Sequence, residues 1–170
     1  MFKSSLCLLF LCLVSVSSFA NIQPRAFSLN GLGDSLTGVP QPSIDNVIDR
    51  AHGLLGTPYK LGGTSVGQGF DCSGLLVYLF KTEANIQLPR TTTAMHRSTA
   101  ATVKRDALRP GDAVFFKGNG RGQISHVGLY IGGGKFIHSP RTGKNIRIDS
   151  LANSYWKKNY TTAKRFHVVR

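Results

Sequence analysis

Apolar residues at Ile44, Val47, Ile48, Ala51 and Leu55 follow the i, i+3, i+4, i+7 recurrence of one helix face, between a capping Ser43 and Gly56. The spacing predicts a helix from Ser43 to Gly56. The next stretch, GTPYKLGGTSVGQGF, holds five glycines from Gly56 to Gly69 and is predicted as an irregular loop. Beyond it Asp71 is a natural N-cap, and Leu75, Leu76, Val77, Tyr78, Leu79 and Phe80 leave no polar face. A helix of that kind must be buried. LPRTTTAMHRSTAATV, after Pro89, predicts a further and more polar helix beginning near Thr91 or Thr92.

The periodicity then changes. Residues Ala113 to Lys117, His126 to Ile131, Lys135 to Ser139 and Asn145 to Ile148 read as strands separated by glycine- or proline-containing turns, and KRFHVVR as a last strand. Helices first and consecutive strands afterwards predict an α+β fold rather than alternating α/β. Residues 43–170 are assigned to this one domain. Residues 21–42, with Pro24, Gly31, Gly33, Pro40 and Pro42, are read as a flexible leader. Residues 1–20 are read as a signal peptide: Lys3, an apolar stretch from Leu6 to Val16, then Ser18-Phe19-Ala20 for cleavage. The apolar run is shorter than the ~20 residues that span a bilayer, so no stable membrane span is expected after processing.

Removal of that signal takes Cys7 and Cys12 with it and leaves Cys72 alone among the 3 cysteines, which excludes an intramolecular disulfide. A lone thiol in an exported protein is an oxidation hazard, and therefore points to thiol chemistry rather than to a small buried hydrophobe. At the first turn of its helix the free amides and the helix dipole are expected to lower its pKa. An imidazole is the natural partner, because it takes the thiol proton and later protonates a leaving amine. Of the 5 histidines, His52, His96 and His167 read as surface or structural residues. His126 and His138 fall in the strand pair SHVGLYIGGGKFIHS.

Parity decides whether those two can cooperate. A two-residue turn at Gly133 and Gly134 with regular pairing would put them on opposite faces, whereas one bulge or a three-residue turn puts them on the same face. The run Gly132-Gly133-Gly134 permits the odd offset, with His138 accepting a hydrogen bond from His126. One Cys and two His would also suffice for zinc, but their spacing is not that of a tight ligand set and no carboxylate is interleaved. No metal or cofactor is expected.

Lys and Arg number 21 against 8 Asp and Glu, a formal charge of +13. The excess favours anionic partners such as polymers of the cell envelope. The positive residues are dispersed and no nucleic-acid-binding motif accompanies them, which argues against nucleic acid.

GTPYKLGG, FDCSGL, LPRT, RPGDAVFF, HVGLYIG and KFIHS, in this order, resemble the NlpC family of bacterial cell-wall peptidases, and SYWKKNY its Spr-like subgroup. The resemblance implies a papain-like fold with N-terminal helices packed on an antiparallel sheet. It also implies a peptidoglycan endopeptidase cutting stem or cross-link peptides at diaminopimelate. Carried over by motif, Cys72 is the nucleophile, His126 the base and His138 the residue that orients its ring, while Tyr59, Asp71 and Ser73 fall in the substrate and oxyanion region. Asp71 also reads as a plain helix cap, and Arg90 matches the LPR segment. The rival readings are a catalytically silent wall-binding module and an amidase or acyltransferase on the same fold. Export implies a periplasmic or secreted location.

Overall fold

The structure, a computed structural model, describes residues 43–118 and 122–167; the signal and leader readings lie outside them. Helix α1 (Ile44–Gly53) starts where Ser43 accepts the Asn46 amide at 3.1 Å, and buries Val47 and Ala51. It ends before Leu55, which is left exposed. The glycine-rich stretch, expected to be irregular, contains a small antiparallel ribbon of β1 (Thr64–Ser65) and β2 (Gly69–Phe70). Buried Phe70 anchors that ribbon to the core, which offsets the entropy that the glycines cost.

Helix α2 (Cys72–Ala84) is capped by Asp71, and Leu75, Leu76, Leu79 and Phe80 are fully buried. It ends at Asn85 in the left-handed conformation, φ 53°. Helix α3 (Thr92–Arg97) is only 6 residues long. The predicted polar helix breaks off because Ala101–Val103 is taken into the sheet as β3. A short 3-10 turn at Arg105–Ala107 then leads to β4 (Ala113–Lys117).

The remaining elements are β5 (Ile124–Gly132), β6 (Lys135–His138), β7 (Arg147–Ser150), α4 (Ser154–Asn159) and β8 (Tyr160–Arg165). Strand β7 begins two residues later than the apolar pattern suggested, and β8 begins four residues before KRFHVVR. The six-stranded sheet has the order β3-β8-β4-β5-β6-β7, every neighbouring pair antiparallel. The fold is α+β.

Alternation along the strands divides the core in two. Phe115, Val127, Leu129 and Ile137 pack against α1, α2 and Met95. Val114, Phe116, Phe136 and Ala163 form the other face, against Leu151, Trp156 and Tyr160. No helix among the described residues is long and apolar enough to cross a membrane.

Candidate active site

Cys72 is the first residue of α2, and its surroundings follow from how that helix begins. Asp71 accepts the Gly74 amide at 2.6 Å, the cap that starts the helix. The same carboxylate takes the Gly62 amide at 3.0 Å, the Ser73 hydroxyl at 3.2 Å and both ends of the Arg90 guanidinium at 3.1 and 2.7 Å. Every acceptor position of Asp71 is thus engaged within the protein. Arg90 also donates to Ser73 at 3.0 Å. Asp71, Ser73 and Arg90 form one network that fixes the helix start, and Tyr59 stands near enough for Cys72 and Asp71 to raise its phenol pKa, although burial raises it more.

Two tethers bring the sheet to this helix start. The Val127 amide, next in sequence to His126, lies close enough to Cys72 to favour its thiolate. Ser139, next to His138, donates to the Phe70 carbonyl at 2.6 Å in a buried contact. The thiol and the two histidines are therefore pinned to neighbouring backbone.

The hairpin register settles the parity. Leu129 pairs with Ile137, Tyr130 with Phe136, and Gly132 with Lys135, so Ile131 is an extra residue in β5. The turn at Gly133 and Gly134 (φ 57° and 71°) is the short one, and the bulge supplies the odd offset, with Gly132 at φ 93°. Both imidazoles consequently lie on one face. His126 Nε2 and His138 Nδ1 are 2.8 Å apart. Gly128 lies between them on that face; a Cβ there would run into the Phe136 ring. The space that glycine leaves is filled by packing rather than left open for substrate.

His138 passes the chain of bonds onward. Its Nε2 donates to Asp149 Oδ2 at 3.0 Å, an oxygen that also accepts from Trp156 Nε1 at 2.8 Å and from Arg147 at 2.9 and 3.2 Å. The Trp156 indole stacks on His126, centroids 5.4 Å apart and planes 28° apart. Asp149 and Trp156 escape a reading of the sequence alone. Asp149 meets His138 only through the β6–β7 register, which puts Asp149 opposite Phe136 after a loop of unpredictable path. Trp156 arrives on a short helix whose sequence shows only an aromatic and basic composition.

The sequence pattern of the NlpC/P60 family matches residues 56–165 of this chain, which take in all of these groups. The chain belongs to the NlpC/P60 family. The murein DD-endopeptidase MepH of Escherichia coli is 50% identical over 135 residues, 79% of this chain and 50% of MepH. The gamma-DL-glutamyl hydrolase of Bacillus subtilis is 38% identical over 120 residues, 71% of this chain and 29% of that protein. The chain thus spans half the length of the first relative and under a third of the second. A crystal structure of an NlpC/P60 family protein from Bacillus cereus superposes with a TM-score of 0.68 at 36% identity, covering 75% of this chain and 41% of that one.

Within this NlpC/P60 domain the thiol shifts opposite to the lowered pKa expected from the helix start. Burial pushes the Cys72 thiol up, and Asp71 adds to the rise; Thr92 and the amides of Val127 and Ser73 pull it down without reversing the direction. The acidic cap offsets the helix dipole that was expected to lower it. Burial also holds His126 well below the ordinary imidazole range, at about 3, and His138 is lowered by the same cause. Asp149 lies well below the usual carboxylate range: its bonds to His138, Arg147 and Trp156 outweigh its burial. The resting pair is a neutral thiol and a neutral imidazole.

These protonation states fix both tautomers. The ionised Asp149 can only accept, so His138 carries its proton on Nε2 and offers a lone pair at Nδ1. His126 must then donate from Nε2, which leaves its Nδ1 free as a base. Among the described residues the side-chain partner of the sulfur is Thr92 Oγ1, at 3.5 Å, rather than the His126 ring. A Thr92 hydroxyl that donates to the sulfur favours the thiolate that proton transfer to Nδ1 would leave. No group of three or more His, Cys, Asp and Glu among the described residues is arranged to hold a metal.

Proposed function

We propose that this domain is a cysteine peptidase that hydrolyses an amide bond in peptidoglycan stem or cross-link peptides at diaminopimelate. Cys72 serves as nucleophile, His126 as base and acid, and His138 as the residue that orients the His126 ring. The observation that carries the reading is the chain of bonds Asp149–His138–His126, on a strand whose next amide, that of Val127, favours the Cys72 thiolate.

In the first step His126 Nδ1 takes the thiol proton as sulfur attacks the amide carbonyl. Amides at the start of α2 face the oxyanion that develops. The C–N bond breaks, the departing amine takes the proton from His126, and a thioester remains on Cys72. Water then gives a proton to His126 and attacks the thioester; the carboxylic acid leaves and the proton returns to sulfur. Tyr59, half-buried beside Cys72, borders the acyl side of this path, whereas Asp71 and Ser73 shape it through the helix start they hold together.

The names of the relatives point to two bonds. MepH is called a DD-endopeptidase, and the Bacillus subtilis relative a gamma-DL-glutamyl hydrolase. The first name favours the bond from D-alanine to diaminopimelate and the second the bond from D-glutamate. Residues 1–20 act as an export signal and residues 21–42 as a leader, which places residues 43–170 in the periplasm or outside the cell.

Digestion of purified muropeptides, read by mass spectrometry, tests the reading. Wild-type protein is expected to release peptides, while Cys72→Ala, folded by circular dichroism, releases none. Iodoacetamide is expected to abolish turnover and a chelator to leave it intact. Retention on murein with no released peptide would identify a silent wall-binding module, and release of stem peptide from sugar an amidase; either outcome defeats the proposal.

A further inference from the structure

A cavity of about 620 Å3 opens beside the His126 ring, and its lining includes neither Tyr59 nor Cys72. His126 and Trp156 form part of its wall, and Lys117, Arg141, Arg147 and Tyr155 also line it. The acid among its lining residues, Asp149, already receives hydrogen bonds from His138, Arg147 and Trp156 on one oxygen. Arg147 is neutralised by that contact. The side chains of Lys117 and Arg141 have no hydrogen-bond or ion-pair partner among the described residues, and both are exposed. The cavity thus holds two uncompensated cations and no free acid.

The mechanism says which half of a substrate meets it. The amine released on C–N cleavage takes its proton from His126, so the chain attached to that nitrogen must pass the wall that His126 forms. A cationic recess there matches a carboxylate on the leaving half, held by charge-assisted bonds that a neutral amide could not form.

We propose that this cavity is the subsite for the leaving-amine half and that Lys117 and Arg141 anchor a free carboxylate borne by that half, with Tyr155 and Trp156 flanking its carbon chain. The inference rests on the peptidase reading above and deepens it. It also separates the two bonds. In a cross-link from D-alanine to diaminopimelate, the carbon that bears the leaving amine carries a free carboxylate. In a stem that continues past diaminopimelate, the carbon whose amine joins D-glutamate has its carboxyl group tied up in the next peptide bond. The subsite favours the cross-link.

A matched pair of synthetic cross-linked peptides, identical except that the leaving half carries a carboxylate or the corresponding carboxamide, provides the test. The wild-type domain is expected to prefer the carboxylate by roughly tenfold or more in kcat/KM, from the strength of charge-assisted hydrogen bonds. Raising the salt from about 0.05 to 0.5 M should shrink that preference, since both cations are exposed. In the double variant Lys117→Ala, Arg141→Ala the preference should fall to within about twofold. Equal rates on the two peptides, or an undiminished preference in the double variant, would overturn the subsite while leaving the peptidase intact.

Calorimetric titration with the product amines makes the subsite testable without turnover: the carboxylate product should bind at least tenfold more tightly than its carboxamide. If neither peptide is cut and only the carboxylate product binds, the peptidase reading fails and the anion site survives. Equal binding of both products removes the site.

Discussion

Replacing Asp149 by Asn isolates what its charge contributes. The amide oxygen can occupy the place where Trp156, Arg147 and His138 all donate, so both imidazole tautomers survive and the negative charge does not. A hydrogen bond to a charged group contributes about 1.5–3 kcal/mol and a neutral one about 0.5–1.5, so the 3.0 Å bond to His138 weakens by about 1–1.5 kcal/mol. That support is needed most when His126 holds the thiol proton, so kcat/KM should fall roughly 5- to 15-fold. The charge of Asp149 also raises the affinity of His126 for protons. Its loss should therefore move the acid limb of the pH profile to lower pH while the plateau drops, which a purely structural defect would not do. Asp149→Leu removes the acceptor altogether and leaves the His138 Nε2 proton buried without a partner, so its loss must exceed that of the Asn variant. Muropeptide turnover followed by chromatography between about pH 2 and 9, with folding checked at each pH by circular dichroism, is the assay. An Asn variant within twofold of wild type with an unmoved acid limb, or a Leu variant no worse than the Asn one, would refute the relay.

Other expectations follow from the same geometry. His126 and His138 both have folded-state pKa values below the unfolded value near 6.5, so the unfolded chain binds protons that the folded one refuses. Stability should be flat above pH 6.5 and fall below it, by at most about 1.4 kcal/mol per pH unit for each ring; a urea midpoint unchanged between pH 7 and 5 would contradict the burial of these rings. Thr92→Val removes a hydrogen bond that favours the thiolate, and the iodoacetamide reaction profile of Cys72 should shift to higher pH. Trp156→Phe keeps a stacked ring but loses the donor to Asp149, and is expected to lower kcat/KM about fivefold with little change in KM. Gly132→Ala places a Cβ at φ 93° and should cost about 1–2 kcal/mol, read as a lower melting midpoint.

Which parts of this were legible in the sequence depended on how local their causes are. The starts of α1 and α2 were readable because Ser43 and Asp71 cap them with their own side chains, and α2 because a helix with no polar face has nowhere to go but the core. The end of the polar helix was not. Whether Ala101–Val103 continues a helix or forms an edge strand is decided by β8, some sixty residues away. The likeness of the motifs to a known family reached Cys72, His126 and His138, and parity showed that an odd offset was needed to join the two rings. It could not say that Ile131 would supply it, rather than a longer turn. Asp149 and Trp156 stayed out of sight because their contacts depend on the path of a loop and the seating of a one-and-a-half-turn helix. The direction of the thiol shift differs for a related reason: the dipole is visible in the sequence, whereas burial, the largest cause of the rise, acts only through the packed structure.

The position of β8 bears on how the domain comes together. This last strand lies between β3 and β4, well inside the sheet, and the segment just before it brings Trp156 against His126. A polypeptide still emerging from a ribosome has a gap where that strand belongs and lacks the indole stacked on His126. Closing the gap joins the first strand of the sheet to the last across most of the domain, a slow and non-local event. The candidate site is therefore assembled only after the chain has been made through β8.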